Sequence, residues 1–292
     1  MKKQKGPVTG NCKLFGTFGE LKHSHIVPKF VLDYFKATGS RYLRAFNEPN
    51  QRRQDGAKKY YLSQEAEQLF SIKEKWFAEN IFKPFMVEKR DTLQYDQTLY
   101  YFSISVLWRV LLEQLDVPEI KNNRLLKILE EVELDWRNYL IDHTYAPKFS
   151  DLNLFLSDRI RHHDTGVEGL EYYFTRTIDA TVFSDDNGDY VIVYCKFLRF
   201  VFWSIIKSPK PNINSDFIIR PIESSISFPQ GITDTYFIQT LVERARAISK
   251  LPKANDSQQD KIMKEIINNP DSLFQSDAGQ AIFNDLKLNG KE

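Results

Sequence analysis

Apolar residues recur at helical spacing along much of the chain and predict several helices. In the strongest pattern, which runs from Asp96 to Leu115, apolar and aromatic residues return on every turn. A second long helix is predicted from Pro118 to about Asp142, since proline is favoured in the first turn of a helix. Shorter helices are predicted at residues 28–37, 63–82, 151–161, 233–250, 256–268 and 270–286.

Extended segments are predicted in two parts of the chain. Residues 171–206 have the pattern of a β-hairpin, because Asn187-Gly188 between β-rich runs is a strong signal for a tight turn. Short extended segments are also predicted within residues 12–30 and at 60–62, where a helix with Ser63 as a plausible N-cap follows at once. The predicted fold class is α+β and predominantly helical: a ββα unit at residues 10–85, then a mostly helical domain at 91–292 with a β-hairpin near 171–206.

The composition is that of a folded protein without a strong overall charge. Of the 292 residues 42% are apolar, and the formal net charge is +1. This excludes a disordered chain and a global basic field, so any contact with nucleic acid would have to come from a local patch. Cys12 and Cys195 do not make a disulfide framework, which favours an intracellular, cytoplasmic location.

The most apolar run, residues 190–206, does not predict a membrane span. It carries Lys196 and Arg199 near its centre, and it is shorter than the roughly 20 residues that a helix needs to cross a bilayer. A buried strand or a core helix is predicted there, and no membrane partner is expected.

Residues 51–59 form a local basic strip. Arg52, Arg53, Lys58 and Lys59 carry four positive charges against the single negative charge of Asp55. Lysine and arginine supply the sequence-independent part of nucleic-acid binding, so the strip is a candidate phosphate-binding surface. A solvated loop would have the same composition, and the sequence leaves both interpretations open.

His25 is the first candidate for a catalytic residue. It lies in an apolar, β-like run that stops at Pro28. Hydrolysis of a phosphodiester needs a divalent metal ion, a base for water and cations that hold the phosphate. His25 could be that base, although a core or helix-capping histidine would show the same pattern. His23 shares its strand face, either as a second metal ligand or as a surface histidine.

Three acidic residues could hold a metal ion near His25: Asp55, Glu67 and Glu74. Glu67 and Glu74 share a helix face, but two turns separate them, which is too far for obvious ligands of one ion. Solvated helix acids would be placed in the same way. Arg109, inside the apolar helix, is expected to pair with an acid or to support the neighbouring site.

Together these stretches resemble a group of bacterial HNH-endonuclease-like proteins. Such proteins carry Cys-x-x-Cys, then Ser-His-Ile-Ile-Pro-Lys, then Gln-Asp-Gly, and then Leu-Cys-x-x-Cys-Glu before a helix. The corresponding residues here are Cys12, Ser24-His25-Ile26-Val27-Pro28-Lys29, Gln54-Asp55-Gly56, and Glu67 to Ser71 with Glu74, within residues 10–80. The resemblance implies a ββα nuclease unit in which His25 activates water. It also implies that Glu67 stands at the last metal-binding position, with Asp55 as a candidate for the middle polar one.

The same resemblance implies a cofactor and partners. Mg²⁺ or another divalent cation would be the cofactor, and nucleic acid would be the substrate. Proteins of this kind often belong to bacterial antiviral defence against phage. The helical region 91–292 would then serve recognition or bind a protein partner.

The chain departs from that group at its zinc-binding cysteines. Phe15 stands at the second cysteine position, and Ser63 and Ala66 stand at the other pair. Since a structural zinc needs four ligands, no structural zinc is expected, and Cys12 is expected to be a free thiol. Ser24 is a poor ligand where many HNH proteins have Asp or His.

These losses leave other hypotheses open beside an active nuclease. One is a catalytically degenerate protein that binds nucleic acid or a protein partner. Another is a structural subunit unrelated to nucleic acid.

Overall fold

The computed structural model describes residues 6–40, 42–121, 124–209, 215–231 and 235–290. Its fold is mixed α/β, with about 45% of residues in helices and about 22% in strands. The sequence predicts a predominantly helical fold, but the structure is a mixture of helices and small sheets. The first residues of the helix predicted at 233–250 lie outside the described ranges.

The helices follow the predicted segments over most of the chain, but each of the single helices predicted at 118–142 and 270–286 is found as two helices. Their bounds are α1 Lys29–Ala37, α2 Gln64–Phe77, α3 Lys83–Met86, α4 Gln97–Leu115, α5 Pro118–Lys121, α6 Leu126–Ile141, α7 Leu170–Arg176, α8 Thr235–Ser249, α9 Asp256–Asn268, α10 Pro270–Phe274 and α11 Asp277–Leu288. A π-helical turn, Ala78–Phe82, connects α2 to α3, and a 3₁₀ turn spans Ser215–Phe217.

The strands form several small antiparallel sheets. Their bounds are β1 Thr9–Asn11, β2 Phe18–Glu20, β3 Lys22–His25, β4 Leu43–Ala45, β5 Glu48–Arg53, β6 Lys58–Leu62, β7 Thr92–Tyr95, β8 Leu152–Leu156, β9 Ile178–Ser184, β10 Val191–Phe197, β11 Phe200–Lys207 and β12 Ser224–Ser227. Two-stranded pairs join β1 to β2, β3 to β6, β4 to β5 and β7 to β12, and one sheet of four strands has the order β8-β11-β10-β9.

Helix α4 is the centre of the main core. Every residue from Leu99 to Leu112 is buried, as expected for a helix that is apolar on all sides. The four-stranded sheet packs against it with alternate residues of β10, among them Val193 and Phe197. Ile192 and Tyr194 point to the other face, where a second core is formed with α7 and α8.

Two segments adopt a different secondary structure from the predicted one. Residues 152–156, predicted as helix, form the fully buried strand β8, because periodicity alone does not distinguish a short apolar strand from a helix. Residues 172–176, predicted as the start of a strand, lie in α7. The carboxylate of Asp285 caps α7 by accepting the N–H groups of Glu171 and Tyr172 at 2.9 Å.

The predicted hairpin itself is confirmed in β9 and β10, which pair in antiparallel register around a turn with Gly188 at φ +68°. The apolar run 190–206 consists of β10 and β11, joined through Leu198 at φ +52°. Among the described helices, none combines the length and the apolar character that a membrane span requires.

The N-terminal region brings β3, β6 and α2 together. Strands β3 and β6 pair antiparallel, and α2 begins directly after β6 with Ser63 as its N-cap, which accepts the N–H of Ala66 at 3.3 Å. The predicted cap is therefore confirmed. The helical segment does not end at residue 82 as predicted, because it continues through the π-turn into α3.

Candidate active site

The pairing of β3 with β6 places two pairs of side chains on one face. His23 lies opposite Tyr60, and His25 lies opposite Lys58. Ser24, between the two histidines, is buried on the other face, as the alternation along a strand requires. The two histidines share a face, as predicted.

Asp55 lies between His25 and Lys58. The Nε2 atom of His25 is 2.7 Å from Oδ1 of Asp55, and Nζ of Lys58 is 2.5 Å from Oδ2. The backbone N–H of Gly56 also donates to Oδ1, at 3.0 Å. The imidazole is largely buried and the carboxylate half-exposed, with 16% and 41% of their side chains accessible. The cluster therefore lies at the surface, where a ligand can reach it.

The surroundings of Asp55 keep its carboxylate ionised. Burial raises its pKa, but hydrogen bonds from Lys58 and His25 outweigh burial and hold the pKa of Asp55 well below its usual range. An ionised carboxylate only accepts hydrogen bonds, so this contact assigns a proton to Nε2 of His25. In the neutral ring Nδ1 then remains as the acceptor, which is the arrangement of a base oriented by a carboxylate.

Arg109 of α4 fixes the backbone at His25. Its Nη1 atom donates to the carbonyl oxygen of His25 at 3.0 Å and to Oε1 of Glu74 at 2.8 Å, and its Nε donates to the carbonyl of Ser105 at 3.1 Å. The residue is only 3% exposed. As the sequence suggests, Arg109 pairs with an acid, and it also contacts the backbone of His25.

The acid of α2 that contacts this assembly is Glu74, through Arg109. Glu67 is half-buried on the first turns of α2, about 10 Å from Glu74 along the helix axis at 1.5 Å per residue. The assignment of Glu67 as a metal ligand stays a prediction. Asp55 is placed as the hydrogen-bond partner of His25, a role that differs from the metal ligand predicted for it.

The residues of the basic strip are divided among different elements. Arg52 pairs with Glu265 of α9 at 2.9 Å, and Arg53 pairs with Glu48, which is the first residue of the same strand β5. Because each cation has an acidic partner, the two arginines do not present a free positive surface.

The two lysines of the strip point to opposite faces of the β3–β6 pair. Lys58 lies with His25, whereas Lys59 pairs with buried Ser24 in the register. Burial raises the pKa of Glu113, and the nearby charge of Lys59 partly offsets that rise. Of the four cations predicted to bind phosphate, Lys58 is the one in contact with the His25–Asp55 pair.

The residues at the four zinc-knuckle positions are also brought together. Cys12 is a buried free thiol whose Sγ accepts the N–H of Ser63 at 3.3 Å. Burial raises the pKa of this thiol, but backbone N–H groups, including those of Phe15 and Ser63, outweigh burial and lower it. Ala66 is buried in the same core and Phe15 packs against it.

One residue of the site face was not identified from the sequence. Tyr60 is 44% exposed, and its ring stacks on His23 with centroids 4.6 Å apart and an interplanar angle of 13°. The alternation of β6 could have placed it beside Lys58, but only the register shows that it faces His23. His23 is thus placed in a ring stack, and its role as a metal ligand stays a prediction.

Neither a metal-binding group nor a related protein assigns a further role to these residues. Within the described ranges, no three His, Cys, Asp or Glu side chains come close enough to form a group that could hold a metal ion. The arrangement found is a histidine oriented by an ionised carboxylate, beside a lysine and a pair of stacked rings. In comparisons with protein-family models, curated proteins and solved structures, no match to this chain is found.

Proposed function

We propose that this chain is an HNH-like nuclease that hydrolyses phosphodiester bonds of nucleic acid, with His25 as the general base. The observation that carries the proposal is the 2.7 Å contact between Nε2 of His25 and the carboxylate of Asp55. It leaves Nδ1 of the ring free to accept a proton, at a surface site with Lys58 alongside. The resemblance of residues 10–80 to HNH-endonuclease-like proteins supports the same reaction, and phage defence is the biological setting that it suggests.

The residues of the site have separate roles in the proposed reaction. Nδ1 of His25 takes a proton from a water molecule, whose oxygen forms a bond to phosphorus while the bond to the leaving oxygen breaks. The leaving oxygen takes its proton from solvent. Asp55 holds the ring in the required tautomer and stabilises the imidazolium that forms. Lys58 offers a positive charge to the phosphate, in exchange for part of its contact with Asp55.

A divalent cation would have to be shared with the substrate, because the described residues contain no group of three ligating side chains that could hold it. Mg²⁺ usually keeps several waters and is held by one or two carboxylates together with substrate phosphates. Glu67 and Asp55 are the carboxylates that would hold it, Asp55 by releasing Lys58. Such a cation would neutralise charge that develops on the leaving oxygen.

A second candidate function is a binding module without catalysis. It is favoured by the state of Asp55, since both of its oxygens already accept hydrogen bonds from protein groups. In that case the His25 cluster would hold β3 and β6 in place for binding.

The two candidates are separated by a cleavage assay. The full chain is incubated with plasmid DNA, single-stranded DNA and RNA, each with Mg²⁺, with Mn²⁺ or with EDTA. We expect cleavage that needs the cation and that His25→Ala abolishes. The exposed residue His143 supplies the matched control, His143→Ala, which should cleave like the wild type. Absence of cleavage from all three nucleic acids, or cleavage that survives His25→Ala, would overturn the nuclease proposal.

A further inference from the structure

His23 and Tyr60 form a stacked ring pair on the surface of the β3–β6 sheet. Their ring planes differ by 13° and their centroids lie 4.6 Å apart. Tyr60 is 44% exposed and His23 is exposed as well. Tyr60 belongs to neither hydrophobic core of the described residues. The pair therefore presents a flat π surface to solvent that packing inside the protein does not use.

This ring pair lies next to the proposed catalytic cluster on the same face. Along β3, His23 and His25 are two residues apart, which separates their Cα atoms by about 7 Å. On the neighbouring strand β6, Tyr60 and Lys58 are also two residues apart, opposite His23 and His25. A chain laid across this face would thus meet two stacked rings at one position and the His25–Asp55–Lys58 cluster at the next.

Unpaired bases are the ligands that suit such a surface. Bases that are not held in a duplex stack on aromatic and histidine rings, and the stacking tolerates any base because every base has a π face. A base inside a duplex is already stacked on its neighbours and cannot use the surface. A positive side chain beside the rings, here Lys58, is the second component of sites that bind single strands.

We propose that His23 and Tyr60 are a stacking platform for an unpaired base and that the substrate is single-stranded nucleic acid. The inference rests on the proposed function, since it names the substrate of the same site. The base bound on the platform fixes the strand so that a neighbouring phosphate lies at His25. Both DNA and RNA offer this chemistry, and the choice between them is an outcome of the test.

Binding without cleavage tests the platform independently of catalysis. The full-length His25→Ala variant is titrated in EDTA with fluorescently labelled oligo(dT), oligo(U), an abasic strand of equal length and charge, and a duplex. Fluorescence anisotropy reports the dissociation constant. We expect the single strands with bases to bind more tightly than the abasic strand and the duplex. A preference between oligo(dT) and oligo(U) would assign the sugar.

The variants separate stacking from folding. Tyr60→Ala should weaken binding of the strand that carries bases by about 5- to 150-fold, the usual effect of removing one stacking ring, and leave binding of the abasic strand unchanged. Tyr60→Phe should keep most of the affinity because it keeps the ring. The control is Phe274→Ala, which removes a ring from another exposed stacked pair, Phe274 and Phe283, that joins α10 to α11.

The outcomes distinguish the two proposals. Equal affinity for the abasic strand and for the strands that carry bases, or an unchanged affinity in Tyr60→Ala, would overturn the proposal of a stacking platform. If duplex DNA is cleaved in a His25-dependent way but single strands that carry bases are not preferred in binding, the nuclease proposal is supported and the platform proposal fails. If the platform binds but nothing is cleaved, the platform stands and the nuclease proposal fails.

Discussion

The backbone carbonyl of His25 accepts a hydrogen bond from Arg109, a residue 84 positions later in the chain, at 3.0 Å. The same nitrogen atom of Arg109 contacts the carboxylate of Glu74 at 2.8 Å. One buried guanidinium thus joins the end of β3, the helix that follows β6 and the central helix of the core. The backbone of the candidate base is therefore held by the core, whereas its ring is oriented by Asp55.

Removal of this guanidinium should strongly destabilise the protein. We expect Arg109→Leu to lower the free energy of unfolding by about 3–5 kcal/mol, because Glu74 then keeps a partly buried charge without its partner. Chemical denaturation measures the change. Arg90, which pairs with Glu88 at the exposed surface, provides the control, and Arg90→Ala should cost less than about 1 kcal/mol.

A double variant checks the reason for that loss. Glu74→Leu in the Arg109→Leu background should recover part of the stability, since it removes the unpaired charge. A double variant less stable than Arg109→Leu would show that Glu74 does not cause the destabilisation.

The contact between Asp55 and His25 should be needed for cleavage. If the chain is the proposed nuclease, Asp55→Asn is expected to lower kcat by about 10²- to 10⁴-fold, because the amide no longer fixes the tautomer of the base. Initial rates with Mg²⁺ on single-stranded DNA measure the effect. The double variant with His25→Ala should be no slower than His25→Ala alone, since the two residues act as a unit. A rate for Asp55→Asn close to that of the wild type would contradict this role.

The same carboxylate should make stability depend on acidity. Hydrogen bonds from Lys58 and His25 hold the pKa of Asp55 below that of the unfolded chain. Its stabilising contribution is therefore present above the unfolded pKa of about 3.9 and is lost as the pH falls through the lower folded pKa. We expect the wild type to lose more unfolding free energy than Asp55→Asn between about pH 5 and pH 2. Because the carboxylate is half-exposed, added salt should reduce the difference, and parallel curves would refute the assignment.

Lys196 should give a second pH dependence, of the same sign but at higher pH. Its Nζ donates to the carbonyls of Thr177 and Leu198 and to the hydroxyl of Thr177, but burial lowers the pKa of this amine to about 7. The unfolded lysine stays protonated to about pH 10.4, so the unfolded state binds more protons above pH 7 and stability rises with pH there. We expect unfolding free energy to increase from about pH 6.5 to 8.5 in the wild type and less in Lys196→Met.

A matched variant separates this effect from the general influence of pH. Lys207 is half-exposed and pairs with Asp189, so Lys207→Met should retain the pH dependence of the wild type. The same slope in the wild type and Lys196→Met would mean that Lys196 keeps its proton in the folded state throughout this range.

Local patterns predicted the parts of the fold that depend on near neighbours. Helix α4, the Ser63 cap and the turn at Gly188 were all predictable, because periodicity, capping and turn chemistry act within a few residues. The strand β8 and the helix α7 were not, because β8 is buried on both faces and α7 depends on Asp285, more than a hundred residues away. Such long-range partners leave no periodic signal.

The sequence identifies the main residues of the candidate site, but it does not show what each of them contacts. His25 and Asp55 were both identified as chemically important, but the sequence could not show that they contact one another across 30 positions. For Tyr60 the sequence predicts only a position in a short strand. Its importance comes from the register of β3 against β6, which no single strand specifies.

The cap of α7 has a consequence for the order in which the protein folds during synthesis. The contacts that fix His25 are made by residues 55, 74 and 109, which leave the ribosome early. Helix α7 stays without its N-terminal partner until residue 285 has been translated. The contacts of His25 can therefore form on the nascent chain before helix α7, which belongs to the second core, gains its cap from α11.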